Sequence, residues 1–489
     1  MPADAADLVV RNGWVVSESG RFRGGVAVRG ETIVAVGPDD SLPPADRVID
    51  AEGQFIIPGL IDAHVHMSSE EDPTIAEALE ANLPVETDGM LHGGVTTFGT
   101  FVAAASDELI AAVSDSISGL DRWSHVDSFC HAVVRDEETL AVIPDAWSLG
   151  VTSFKHFYNA YRRRGHEDPG LASLYRPVEN DVLLRSMKLI QSLGQPGVAM
   201  VHAEDIDIIS VAEAEVSATG RRDLKAWSDS RPNMAEFLRV GQAIELSKFT
   251  GCPLYIVHMS TQEACAMVGA ARRDGLPIWS EVGPHWLTHH GDMEAEIGCW
   301  GKVNAPLRSP ADNEALWRGF HSDSVTCLGT DHGTGGRTHE TKEKGGGKHD
   351  NIWAARPGIK GGSEHMLPVM MTYGVHTGRI SIEDLVRTGS ATTARVFGLY
   401  PRKGILAPGA DADIVIVDPD REAVVDDDFY HGLCEVSIYA GHQLRGMART
   451  TIVRGHVQME DYETVSEPSR GRYQPRGAAA TDWSPPAPR

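Results

Sequence analysis

The chain has 489 residues, 42% of them hydrophobic and 23% charged, which suits an ordinary folded protein with a large core and more than one domain. Its 44 Lys and Arg against 69 Asp and Glu give a formal net charge of −25, which argues against nucleic acid or an anionic membrane surface as the main partner. The N-terminus, MPADAADLVV, lacks a basic segment followed by an apolar core, and no apolar run approaches the ~18 residues of a membrane span. The six cysteines form no CxxC pair, so reduced thiols in a cytoplasmic protein are expected, with histidine and carboxylate left to hold any metal.

Residues 7–57 carry short β-rich runs split by turns: LVVRNGWVV, GGVAVRG and ETIVAVG. The same texture returns in ADIVIVD (412–418) and RTTIVRGHVQM (449–459), so both chain ends are expected to build one small β-sandwich, residues 1–57 with 401–465. Between them, residues 58–400 alternate short apolar strands with helical stretches such as DVLLRSMKLIQSLG (181–194) and MAEFLRVGQAIELSKFTG (234–251), the latter ending on a C-cap glycine. Repeated βα units predict an α/β fold, a parallel sheet or a (β/α)8 barrel. The Gly-, Lys- and His-rich stretch 333–362 is expected to be a long mobile polar loop, with its Gly-rich part 333–350 forming part of a lid, and it lacks the GxxxxGK[ST] phosphate pattern. The Pro- and Arg-rich tail 466–489 is expected to wrap a surface or stay disordered.

The strand ends carry the chemistry. GLIDAHVHM places His64 and His66 two residues apart, hence on one face of a strand. GVTSFKHF carries Lys155, QPGVAMVHAED His202, CPLYIVHMS His258 and VTCLGTDHG Asp331. Singly, each has a plain structural role: a snorkelling lysine, a packed histidine, an N-cap aspartate. Jointly they converge, because polar residues at the C-terminal strand ends of a parallel barrel meet in one site. A buried amine favours its neutral form and can add carbon dioxide to become a bridging carbamate. His64, His66 and Asp331 could then hold one ion, and His202 and His258 another, in an arrangement suited to hydrolysing an unreactive amide.

The set GLIDAHVH, GVTSFKHF, VHAED, IVHMS and GTDH resembles the amidohydrolase superfamily in its dihydropyrimidinase and hydantoinase branch. Further matches run along nearly the whole chain, among them GGVTTF (93–98), SRPNMAE (230–236), APLR (305–308), PGIKGGSEHMLP (357–368) and SRGRY (469–473). The resemblance implies a (β/α)8 TIM barrel with a β-sandwich from the chain ends. It implies two divalent ions, zinc with manganese or cobalt as alternatives, held by His64, His66, carboxylated Lys155, His202, His258 and Asp331. A bridging hydroxide would open the C–N bond of a cyclic ureide or imide, with Asp331 as general base and then acid. It also implies a small-molecule substrate and a homo-oligomer, a tetramer or dimer.

Departures fall where the substrate should sit. Hydantoinases place a substrate-contacting tyrosine five residues after the lysine; here Tyr158 and Tyr161 stand three and six after Lys155, and both become candidates, with Asn304 in VNAPLR a third. Ser68-Ser69-Glu70-Glu71-Asp72 lacks the arginine that dihydroorotases place two residues after HxH, and an acidic loop there is expected to repel an anionic substrate. PGIKGGSEH is one residue longer than the usual NGIPGVEH, with Pro357 at the expected Asn. Two alternatives therefore stand beside the cyclic amidohydrolase: the same metal chemistry on another amide (allantoin, an aryl amide or a carbamate), and a non-catalytic dihydropyrimidinase-like scaffold.

Overall fold

The computed structural model describes residues 5–68, 74–158 and 177–477. Two nine-stranded sheets organise it. The first is sewn from both chain ends: β1 (Ala6–Ser17), β2 (Gly20–Arg29), β3 (Thr32–Gly37), β4 (Ala45–Asp50) and β5 (Phe55–Pro58), then β15 (Ile414–Val424), β16 (Gln443–Val453), β17 (His456–Glu460) and β18 (Glu463–Thr464). The seam is the antiparallel pairing of β5 with β15, where Ile56 faces Ile416. Alternating β-branched residues give this sheet its own core, in which Val10, Val26, Ile33, Ile56, Ile414 and Ile452 pack together.

The second sheet is parallel throughout. It runs through β6 (Leu60–His66), β7 (Val95–Val102), β8 (Asp127–Val134), β9 (Ser153–Tyr158), β10 (Val198–Ala203), β11 (Leu254–Ile256) and β12 (Ile278–Val282) to β13 (Cys327–Leu328) and β14 (His332–Gly333). The short β13 and β14 are two pieces of one strand interrupted at Gly329–Asp331. β13 pairs with β12 and β14 pairs with β6, so eight strands close a (β/α)8 barrel. Asp62 clamps the closing seam: its carboxylate accepts from the Thr330 amide at 3.0 Å and from the hydroxyls of Thr330 and Ser363 at 2.5 and 2.6 Å.

Helices cover the barrel where the sequence shows helical periodicity. Asn180–Leu193 takes in residues 181–193 of the first stretch named above, with Gly194 as its C-cap, and Asn233–Thr250 ends on Gly251 at φ 74°, the left-handed cap that glycine supplies. Among the described residues no helix is long and apolar enough to cross a membrane. No disulfide forms; Cys130, Cys252, Cys265, Cys299 and Cys327 are buried thiols and Cys434 is half-buried.

Two segments differ from a bare loop and a loose tail. The Gly-rich stretch after Asp331 folds a short helix, His339–Glu343, started by a Thr338–Thr341 capping box, and it buries Lys342. The tail as far as residue 477 lies along the N-terminal ends of β8 and β9: the Ser128 amide donates to the Arg472 carbonyl, and the buried Arg476 donates to Ser153 Oγ at 2.8 Å. There Asp127 accepts from Lys403 Nζ at 2.6 Å, Arg454 Nε at 3.0 Å and the Arg472 amide at 2.9 Å, tying the C-terminal part of the chain to the floor of the barrel.

Candidate active site

The C-terminal mouth of the barrel holds a cavity of about 150 Å³ lined by His64, His66, Lys155, His202, His258 and Asp331. These six come from five strands or strand ends, and the alternation of each strand decides which side chain enters. In β9, Lys155 and Phe157 face the cavity, which turns His156 and Tyr158 outward to the helices. His156 accordingly bonds Ser186 Oγ at 2.8 Å and the Met200 carbonyl at 3.1 Å.

Three ligand-type atoms meet at one point. His64 Nε2 and His66 Nε2 stand 3.1 and 3.2 Å from the same oxygen, Asp331 Oδ1, and these residues form a candidate metal-binding group. Asp331 sits in the strand interruption at φ 51°, a conformation costly for a non-glycine residue and one that aims its carboxylate inward. Burial alone would raise its pKa. The neighbouring His64 charge and the hydrogen bonds from His64 and His66 reverse this and hold it well below the usual carboxylate range.

A second pair lies beside the first. His202 Nε2 donates to Glu204 Oε2 at 2.9 Å, which leaves its Nδ1 toward the cavity, 2.8 Å from His258 Nε2. Glu204 is itself 3.8 Å from the Arg308 guanidinium. His258 follows β11 at φ 35°, a second left-handed residue in the site.

Lys155 is buried between the two sets. Its amine lies 4.7 Å from the Phe101 ring centroid and 5.3 Å from that of Phe157, with no hydrogen-bond acceptor among the described residues. Burial brings its pKa down to about 8, although Glu281 and Asp331 pull the other way.

Glu281, on β12, is the buried hub beneath these groups. It accepts from His64 Nδ1 at 2.6 Å, from the Tyr255 hydroxyl at 3.0 Å and from the His258 amide at 3.1 Å. Burial works against a charge on His64, yet Glu281, with Asp331, holds its pKa above the ordinary value. The sequence reading passed over Glu281; its one signal is a carboxylate inside the otherwise uncharged run PIWSEVG.

Of the expected substrate contacts, Asn304 lines the cavity with Phe157, Arg356 and Lys360. Tyr158 does not. Its hydroxyl bonds Asn180 and Gln242 on the covering helices and its ring lies under Arg239, so strand alternation removes it from the pocket. Tyr161 and the acidic residues Glu70, Glu71 and Asp72 lie outside the described residues.

A closed parallel barrel with histidines, a carboxylate and a low-pKa lysine gathered at its C-terminal mouth defines a class of enzyme, and comparison with known proteins gives the family. Residues 302–457 match the amidohydrolase family. A D-hydantoinase of Streptomyces coelicolor is 32% identical over 486 residues, covering 96% of this chain and 97% of that protein. An allantoinase of Rubrobacter xylanophilus is 31% identical, with 96% and 97% covered. The solved L-hydantoinase (dihydropyrimidinase) of Arthrobacter aurescens superposes with a TM-score of 0.86 at 28% identity, over 96% of this chain and all of that one (100%). The chain belongs to the amidohydrolase family, in its hydantoinase and dihydropyrimidinase branch. Divalent metals are general in that family, and the donor set here suits them: imidazole nitrogens and a carboxylate converge, with the far ring nitrogens of His64 and His202 already hydrogen-bonded.

Proposed function

We propose that this protein hydrolyses the C–N bond of a cyclic ureide or imide of the hydantoin or dihydropyrimidine type. The observation that carries the reading is the meeting of His64 and His66 on Asp331 Oδ1 beside the His202–His258 pair and the buried Lys155 amine. His64, His66 and Asp331 would hold one divalent ion, His202 and His258 a second, with Lys155 as a carbamate shared between them; zinc fits these nitrogen and oxygen donors. Bound ions supply Lewis acidity that makes water nucleophilic near neutral pH and polarises an amide oxygen.

The remaining steps fall to the chain. Glu281 and Glu204 fix which imidazole nitrogen faces the cavity. Asp331, aimed inward at the cavity, takes the proton of the attacking water and returns it to the ring nitrogen as the C–N bond breaks. One water is thus added across the bond: hydroxyl to the carbonyl carbon, hydrogen to the nitrogen. Asn304 and Phe157 lie where they can flank the ring.

The test is ring opening of dihydrouracil and of a 5-substituted hydantoin by protein supplied with zinc and bicarbonate. Turnover of either supports the reading, and silence on both from metal-loaded protein sinks it. A second reading, the same chemistry on allantoin, is favoured by the R. xylanophilus relative and is tested in the same assay. Assembly into a tetramer or dimer, and a cytoplasmic location in keeping with the unpaired thiols, complete the proposal.

A further inference from the structure

Two sequence motifs that the reaction above leaves unused meet behind the second ligand pair. SRPNMAE leads into the first turn of the helix Asn233–Thr250, and APLR ends on Arg308. That first turn docks on two strand ends at once. The Asp205 amide, just past β10, donates to the Ala235 carbonyl at 2.9 Å, and the buried Glu236 carboxylate faces the residues that follow His258. Glu236 Oε1 accepts from the amides of Ser260 and Thr261 at 2.9 and 3.1 Å and from the Thr261 hydroxyl at 3.0 Å. Its other oxygen accepts from Arg308 Nη2 at 3.0 Å and from the Ser260 hydroxyl.

Arg308 is buried as well, and its guanidinium fork gathers these pieces. Nε donates to Ser260 Oγ at 2.9 Å, Nη1 donates to the Arg231 carbonyl, and Nη2 reaches both Glu236 and, at 3.8 Å, Glu204 Oε1. The other oxygen of Glu204 accepts from His202 Nε2. A path of buried contacts, Glu236–Arg308–Glu204–His202, thus runs from the two motifs to one member of the ligand pair. Glu236 reaches the other member through the backbone. His258 stands in a strained conformation, φ 35°, that persists only where its surroundings over-determine it. The Glu281 carboxylate takes the His258 amide on one side of it, and Glu236 takes the next amides but one on the other. The first set, His64, His66 and Asp331, draws its support from Glu281 and from its own mutual contacts.

We infer that Arg308 and Glu236 are positioning residues for the second ion alone. They fix His202 through Glu204, and His258 through the turn at Ser260 and Thr261. Occupancy of that ion is therefore set separately from that of the ion on His64, His66 and Asp331. The assignment deepens the two-ion reading above and rests on it.

The test follows zinc binding rather than turnover. Metal-stripped full-length protein, treated with bicarbonate, is titrated with zinc against a chromogenic chelator, and bound zinc per chain is counted on the same samples. The unsubstituted chain is expected to bind two ions. In Glu236→Gln one ion should weaken about 10- to 100-fold while the other moves by less than about threefold. Arg308→Lys keeps the charge but loses the fork that reaches Ser260, Glu236 and Glu204 together, and should do the same. A double-mutant cycle names the ion: in a His202→Asn background, Glu236→Gln should bring no further loss of the ion that remains. Circular dichroism restricts the comparison to folded protein, and Arg308→Lys carries the test if Glu236→Gln does not fold. Equal weakening of both ions, or a further loss on top of His202→Asn, overturns the assignment. Two ions in the unsubstituted chain with full affinity in both variants overturn the assignment and leave the two-ion reading standing. An unsubstituted chain that takes up no second ion sinks that reading and the assignment with it.

Discussion

His64 Nδ1 and Glu281 Oε1 meet at 2.6 Å beneath the cavity, reaching across from strands that are not neighbours in the barrel. The same carboxylate takes the His258 amide, so one buried charge orients a histidine from each of the two ligand sets.

Glu281→Gln removes that charge while keeping the shape. Divalent-metal affinity is expected to fall about 10- to 100-fold, as for other partners that orient a ligating histidine. Competition with a chromogenic chelator measures it, and unchanged affinity would show that Glu281 is packing alone.

Asp331→Asn keeps the size of the side chain and removes the proton acceptor. A kcat loss of about 10²–10⁴ is expected per metal-loaded molecule, with metal content counted on the same sample because Asp331 is also a proposed ligand, and with the circular dichroism spectrum little changed. Retained turnover would remove Asp331 from the proton path.

Lys155 gives a pH dependence with a definite sign. Carbamate formation needs the neutral amine, and with a pKa of about 8 that form is scarce below pH 8 and dominant above it. Reactivation of metal-stripped protein by zinc at fixed dissolved carbon dioxide should therefore quicken about tenfold per pH unit up to pH 8 and then level off. Lys155→Arg, which stays charged throughout, should not reactivate at any of these pH values. A flat profile in the Lys155 protein would contradict the carbamate.

Much of this site was legible because its chemistry sits at strand ends. HxH at a period of two, and single polar residues closing apolar runs, name the cavity residues before any coordinates. Tyr158 was misread because spacing along the chain was counted and strand alternation was not: with Lys155 inward, position 158 faces the helices. Glu281 and Asp62 were missed because each is a lone carboxylate in an ordinary strand, and its partners lie 217 and 268 residues away in the chain. The segment after Asp331 reads as loose because glycine and lysine mark loops, yet Lys342 and Lys302 pin it through carbonyls that no sequence pattern shows.

At the opposite end of the barrel, Lys403 Nζ lies 2.6 Å from both Asp127 and Asp413, with the lysine and Asp127 almost wholly buried. Burial disfavours the Lys403 charge, but Asp127, Asp413 and Asp411 raise its pKa above the ordinary value. Lys403→Met leaves Asp413 without its cation and Asp127 with Arg454 alone, and should cost about 3–5 kcal/mol of stability, read from chemical denaturation. Activity per folded molecule should persist, because the cluster is remote from the cavity.

The central claim is that the residues around Lys155 form a hydrolytic two-metal centre. Counting metal by plasma mass spectrometry, on the same zinc- and bicarbonate-treated sample that is assayed for ring opening, tests it most directly. About two ions per chain are expected, with turnover lost on chelation and regained with zinc. Protein that carries no metal yet still opens the ring would contradict the account.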